Sequence, residues 1–213
     1  MKLIADRERL LEWLGKQLTP ARLAHSVSMA GTAAELARRY GADAERAALA
    51  GLVHDAARCF AAGRLLKMAG EFGIVMSSLE KHAPVALLHG PVAAAWLPGQ
   101  TGLDDAEILH AVAVHTTGCP HMTLLDRIIY LADYIEPGRQ YPGSLRARAA
   151  ACESLDSALR IAFDESLNYL LATGDPIHPL TVEARNDLLL GGADADERGA
   201  AAWEGPSNDR SRD

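Results

Sequence analysis

Six ionisable residues stand where a helical protein would ordinarily place alanine or leucine: His25, the adjacent pair His54 and Asp55, His89, His115 and Asp133. His25 sits among apolar neighbours in RLAHSVSMA, His54-Asp55 in LAGLVHDAAR, and Asp133 in the apolar phrase YLADYI. Burying such groups is costly unless something satisfies them. A divalent cation would do so, because imidazole nitrogens and carboxylate oxygens on facing helices are how helical bundles build metal sites. Taken one at a time, each residue has an ordinary alternative. A single histidine on an apolar helix is more often hydrogen-bonded to backbone, and a His-Asp pair arises by chance. The ordered set, with four members at or near expected helix ends, points instead to side chains from several helices converging on one cleft. Two imidazoles and two carboxylates without cysteine suit iron, manganese, cobalt or magnesium in an open shell better than structural zinc.

The elements that must carry these residues are helical. Leu3, Leu10, Leu11, Trp13, Leu14 and Leu18 recur at spacings of three and four, the mark of a first helix with one apolar stripe. Thr19-Pro20 opens a second helix that Gly41 can close. Asp43 is a candidate N-cap for a third, expected through Phe60. A shorter helix is expected around Leu65 and another from Pro84 to Trp96, with a break from Pro98 to Gly102. Asp104 with Glu107 resembles a capping box for DDAEILHAVAVH. Thr116 to Pro120 reads as a turn, TLLDRIIYLADYI as a helix ended by Glu136-Pro137-Gly138, and Leu145 to Ala172 as one long helix. A loop, TGDPIHPLT, leads to a last short helix. The fold class is therefore all-α, with one domain over residues 1–190 and a polar, unpatterned tail over 191–213 expected to be disordered.

Composition narrows the function. Hydrophobic residues make up 49% of the chain but aromatics only 5%, which favours close helix packing over a β-sandwich core. A formal charge of -7 and no long Lys/Arg run argue against nucleic acid as a partner, whereas a small nucleotide needs only a metal and a few placed arginines. Cys59, Cys119 and Cys152 form neither a disulfide framework nor a metal knuckle and read as incidental thiols. The N-terminal segment lacks the uninterrupted apolar run of a signal peptide or membrane span, so a cytoplasmic protein is expected. The sequence leaves a homodimer open.

The order H…HD…H…H…D resembles the HD superfamily of metal-dependent phosphohydrolases. Within it, RLAHSVSMA, LAGLVHDAAR, LLHGPVAA, AVAVHTTGCPHM, IIYLADYIEPGR and PIHPLTVEARN resemble the bacterial YqeK family of symmetrical bis(nucleosyl)-tetraphosphate hydrolases, over roughly residues 20–187. The resemblance implies an HD-domain helical bundle that cleaves diadenosine tetraphosphate to two ADP. It implies iron held by His25, His54, Asp55 and Asp133. It places nucleotide contacts at Arg22, at Asp55, Ala56, Ala57 and Arg58, at His89, His115 and Arg139, and at Ile177, His178, Pro179, Leu180 and Thr181, with His25 and Asp133 also facing the ligand. The family usually has lysine where this chain has Arg58, which keeps the charge but changes the donor geometry.

On this reading the metal polarises a phosphoryl oxygen and activates water, Asp55 accepts a proton, and the arginines clamp phosphates. His89 and His115 have two readings: phosphate donors or general acid, or ligands of a second ion, so that one or two ions per chain are expected. His82, His110 and His121 read as surface or capping residues; His110 is about 140° around its helix from His115. Glu136 reads equally well as a helix terminus. Competing functions are an HD phosphohydrolase acting on a guanosine alarmone or nucleoside monophosphate, an HD-fold di-iron oxygenase, and a nucleotide sensor without turnover. A complete open metal shell argues against the last.

Overall fold

Short polar side chains fix where the helices of this protein begin. In a computed structural model that describes residues 6–191, Asp6, Thr19, Asp43, Asp105, Thr123 and Ser154 each accept a hydrogen bond from a backbone N–H in the first turn of the helix that follows. The helices are α1 (Arg7–Gln17), α2 (Pro20–Tyr40), α3 (Ala44–Val53), α4 (Ala62–Glu71), α5 (Ser78–His82), α6 (Pro84–Leu87), α7 (His89–Thr101), α8 (Ala106–Val114), α9 (Leu124–Ile135), α10 (Pro142–Ala150), α11 (Leu155–Thr173) and α12 (Pro179–Leu189). No strand occurs among the described residues, as the composition implies. Among the described residues no helix is long and apolar enough to cross a membrane. Leu3 and all of the expected tail except Gly191 lie outside the described residues.

Several boundaries differ from the sequence reading, each for a local reason. The third helix stops at Val53, seven residues early, because Ala56, Arg58 and Phe60 each donate to the carbonyl three residues back and wind the chain into tight turns. Pro98 lies inside α7, which continues to Thr101 and is closed by Gly102 at φ 75°. The N-cap of α8 is Asp105 rather than Asp104. His82 closes α5 instead of lying in a loop, and Pro179 to Thr181 form the first turn of α12. The long helix expected from Leu145 to Ala172 is two helices. Between them Tyr40 Oη and Arg39 Nη1 donate to the carbonyls of Ala151 and Cys152, and Ser154 recaps the chain.

The core is one cluster built largely from alanine and leucine. Helix α2 packs most extensively on α3, and α9 contacts both, while α8 joins α3, α7 and α9. Alanines buried on the two helices, among them Ala30, Ala33, Ala37, Ala47 and Ala50, are small enough to let the backbones approach closely. Gly51 marks the tightest point. A Cβ there would lie 2.7 Å from Met29 Sδ and 2.9 Å from Ala30 Cα. Gly51→Ala therefore pushes α3 away from α2, and a loss of about 1–3 kcal/mol is expected in the denaturant midpoint. The same displacement moves His54 relative to His25, so metal affinity measured by titration is expected to fall with it.

Candidate metal centre

Each imidazole in the predicted set is fixed through its Nδ1 atom. His54 Nδ1 donates to the Gly51 carbonyl at 2.7 Å, His89 Nδ1 to Val85 at 3.0 Å and His115 Nδ1 to Val112 at 2.8 Å. His25 Nδ1 faces Glu136 Oε1 at 3.4 Å. Carbonyl oxygens only accept, so these neighbours place the ring proton of His54, His89 and His115 on Nδ1 and leave Nε2 as a bare lone pair, whereas His25 faces a carboxylate from each nitrogen, Glu136 at Nδ1 and Asp133 at Nε2. Three of the bonds reach back three or four residues to the end of a helix, which explains why His54, His89 and His115 sit at helix boundaries. There the last carbonyls lack helical partners.

The four Nε2 atoms then face one another and two carboxylates. His89 Nε2 lies 3.0 Å from His115 Nε2, and Asp55 Oδ1 lies 3.3 and 3.9 Å from the two. Asp55 Oδ2 lies 3.6 Å from His54 Nε2, and Asp133 Oδ1 lies 3.1 Å from His25 Nε2. Both of these nitrogens are buried and make no hydrogen bond in spite of that proximity. Donor atoms within 4.8 Å of one another form three overlapping groups: His25, His54 and Asp55; His54, His115 and Asp133; Asp55, His89 and His115.

Electrostatics prepare these groups as ligands. Burial would raise the Asp55 carboxyl, but His54, His89 and His115 outweigh it and hold the group well below the usual carboxylate range. Burial opposes ionisation of Asp133 too, and His25, His54 and Arg139 overcome it. His115 is pushed down to about 3 by burial, with His89 and His54 adding to the effect, and burial also lowers His89. For His25 burial is outweighed by Asp133, which raises it. Ionised carboxylates and neutral imidazoles are the forms that bind metal. Orphaned buried nitrogens, lone pairs pointed at each other and two anions fit a divalent cation, with His25, His54, Asp55 and Asp133 able to hold one.

The remaining predicted residues fall into two groups. Arg22 donates to Asp55 at 3.2 Å and Arg139 to Asp133 at 2.9 Å, each over a third exposed, so both border the cluster. Arg58 donates to the Val85 carbonyl and lies 3.5 Å from His89 Nδ1. Ala56 and Ala57 are fully buried and turn their methyls into the core. The stretch from Ile177 to Thr181 leads into α12, where Pro179, Leu180 and the buried Thr181 form the first turn. Its His178 is engaged, with Nε2 2.9 Å from Glu80 Oε1 and Nδ1 accepting from the Leu180 N–H.

Glu136, which the sequence presents as no more than a helix terminus, holds His25 in place. Its Oε2 accepts from Ser28 Oγ at 2.9 Å and from the Gly138 N–H at 2.8 Å, leaving Oε1 to face the imidazole. A carboxylate behind a ligating histidine sets the tautomer and raises ligand basicity. An acid at a helix C-terminus, where the macrodipole disfavours it, is the one signal that marked it.

An all-helical scaffold that gathers histidines and aspartates at its helix ends is the architecture of an HD domain, and the HD-domain family model matches residues 22–138. A protein of Bacillus subtilis is 37% identical over 87% of this chain and 99% of its own length; one of Halalkalibacterium halodurans is 35% identical over 87% and 98%. Both are described as symmetrical bis(5'-nucleosyl)-tetraphosphatases. This chain belongs to the HD-domain family, in the group those two relatives represent. A crystal structure from Clostridium acetobutylicum, described as a predicted HD superfamily hydrolase involved in NAD metabolism, superposes with a TM-score of 0.84 at 36% identity, covering 87% of this chain and 98% of that one.

His54→Ala is expected to lose bound metal while the far-ultraviolet circular dichroism stays helical. Glu136→Gln should keep the metal site but weaken it about 10-fold or more, read by metal titration.

Proposed function

We propose that this protein is a metal-dependent hydrolase that cleaves diadenosine tetraphosphate symmetrically into two molecules of ADP. The observation that carries the reading is the convergence of four imidazole Nε2 atoms on two ionised aspartates, in a chain whose relatives are symmetrical bis(5'-nucleosyl)-tetraphosphatases. His25, His54, Asp55 and Asp133 hold the divalent ion, for which iron is our first assignment. When bound, it supplies Lewis acidity at a phosphoryl oxygen and lowers the pKa of water.

The chain's own residues supply position and charge. Hydrolysis adds water across the central phosphoanhydride: one P–O bond forms, one breaks, and the water proton passes to the protein while ADP departs. Asp55 and the two histidines beside it, His89 and His115, form the catalytic set. Neutral His115, with its Nδ1 committed to Val112, offers an electron pair rather than a proton, and His89 does the same. This favours Asp55, His89 and His115 as ligands of a second ion over a general-acid role. Arg22 and Arg139 pair with Asp55 and Asp133 in the protein alone. With a cation drawing on those carboxylates, both guanidiniums turn to the polyphosphate, joined by Arg58. Ile177, His178, Pro179, Leu180 and Thr181 complete the nucleotide side, and Ala56 and Ala57 contribute main chain alone because their methyls are buried.

The same reading makes residues 1–190 one domain with a separate tail, places the protein in the cytoplasm, and makes its partner a small nucleotide rather than nucleic acid, given the net charge of -7. Metal-stripped protein reloaded with ferrous iron is expected to yield two ADP per diadenosine tetraphosphate. AMP plus ATP would reject symmetrical cleavage, and faster turnover of a guanosine alarmone or nucleoside monophosphate would reject the substrate. Elemental analysis separates the roles of the two histidines: two ions per chain, falling to one in His89→Ala, supports the second-ion reading.

A further inference from the structure

A second group of donors lies on the other flank of α8 and is independent of the centre described above. His110 on α8, Cys119 in the α8–α9 turn and Asp126 in the first turn of α9 each place one donor atom within 4.8 Å of the other two. They come from three successive elements, and His115 lies five positions after His110, about 140° around the axis. The sequence presents His110 as a surface or capping histidine and Cys119 as an incidental thiol, and does not single out Asp126; only the turn between α8 and α9 brings them together.

We propose that His110, Cys119 and Asp126 form a second metal site, for a borderline divalent cation of the zinc type. The donor chemistry supports the assignment: one thiolate, one imidazole and one carboxylate are ligands that zinc accepts together, with its fourth position open. Charge supports it as well. A dication bound to a thiolate, a carboxylate and a neutral imidazole has no net charge, which suits a place where Asp126 is fully buried and His110 and Cys119 are partly so.

The carboxylate is also held in advance. Asp126 Oδ2 accepts from the Thr123 N–H at 2.8 Å, and Asp126 N–H donates to Thr123 Oγ1, so the capping box fixes the side chain and leaves Oδ1 facing His110 Nδ1 at 2.9 Å. In the protein alone that face of the carboxylate is met by a proton on the imidazole. The Asp126 hydrogen bond, with Cys119 adding to it, raises His110 to about 10. Zinc would take that proton's place. Its bonds of about 2.0–2.3 Å put donors about 3.3–3.8 Å apart, between the 2.9 Å of the His–Asp pair and the 4.8 Å limit of the group. Coordination releases the imidazolium proton and the thiol proton to solvent. A filled site would fasten α8, the turn and α9 together. That turn carries Thr116, whose Oγ1 lies 3.2 Å from His115 Nε2 and 3.4 Å from His89 Nε2.

Cobalt(II) titration of the metal-stripped full chain tests this, because a thiolate-to-cobalt charge-transfer band cannot arise from the cysteine-free HD centre. The band is expected in the native protein and in His54→Ala, and absent in Cys119→Ser and His110→Gln. Zinc bound per chain should fall by one equivalent in Cys119→Ser. No band in the native protein, or a band that survives Cys119→Ser, overturns the site and leaves a plain His–Asp pair. If His110→Gln fails to fold, the conservative Cys119→Ser decides alone. Since His54→Ala removes the HD centre and not this one, failure of either assignment is told apart from failure of the other.

Discussion

Four hydrogen-bonded or facing Nδ1 atoms govern this molecule. Once the carbonyls of Gly51, Val85 and Val112 place the proton on one side of three rings, the opposite nitrogens of those rings present lone pairs, while Glu136 faces Nδ1 of His25. Packing those lone pairs beside two ionised carboxylates, with ring centroids of His54 and His89 each 4.9 Å from that of His115, costs free energy unless a cation compensates. The site is therefore an electrostatic debt that a divalent ion settles, and metal binding and fold stability are linked.

The architecture places that arrangement where a helical protein can tolerate it. Helix C-termini leave carbonyls without intrahelical partners, and the histidines that close α3 and α8 occupy them. These histidines thus also complete the secondary structure that positions them. Alanine-rich packing serves the same end. Helices α2 and α3 come close enough at Gly51 for the rings of His25 and His54 to lie 5.3 Å apart between centroids. Bulkier contacts would separate the backbones and open the cluster.

Much of this was legible because its signals are local. Thr19, Asp43 and Thr123 cap helices through side chains that reach two or three residues along the chain, so the residues that do it stand next to the helices they start. The order of histidines and aspartates survives in sequence because each must hang from a different helix. Where the reading failed, distant partners intervened. The break at Ala151 to Ser154 is stabilised by Arg39 and Tyr40, more than a hundred residues earlier. Glu136 acquires its place from Ser28 and His25 on α2.

The amino-acid sequence by itself determined the helical class, the helix starts, the alanine-lined contacts and the donor atoms available for a cation. Tertiary structure alone decided which ring nitrogen His54, His89 and His115 keep free, that Asp55 shows one oxygen to His54 and the other to His89 and His115, and that Cys119 meets His110 and Asp126. The reason is physical. Capping and amphipathic spacing act over a few residues and are written in the order of the chain, whereas the direction of a ring or a carboxylate oxygen is set by whichever helix the fold brings against it.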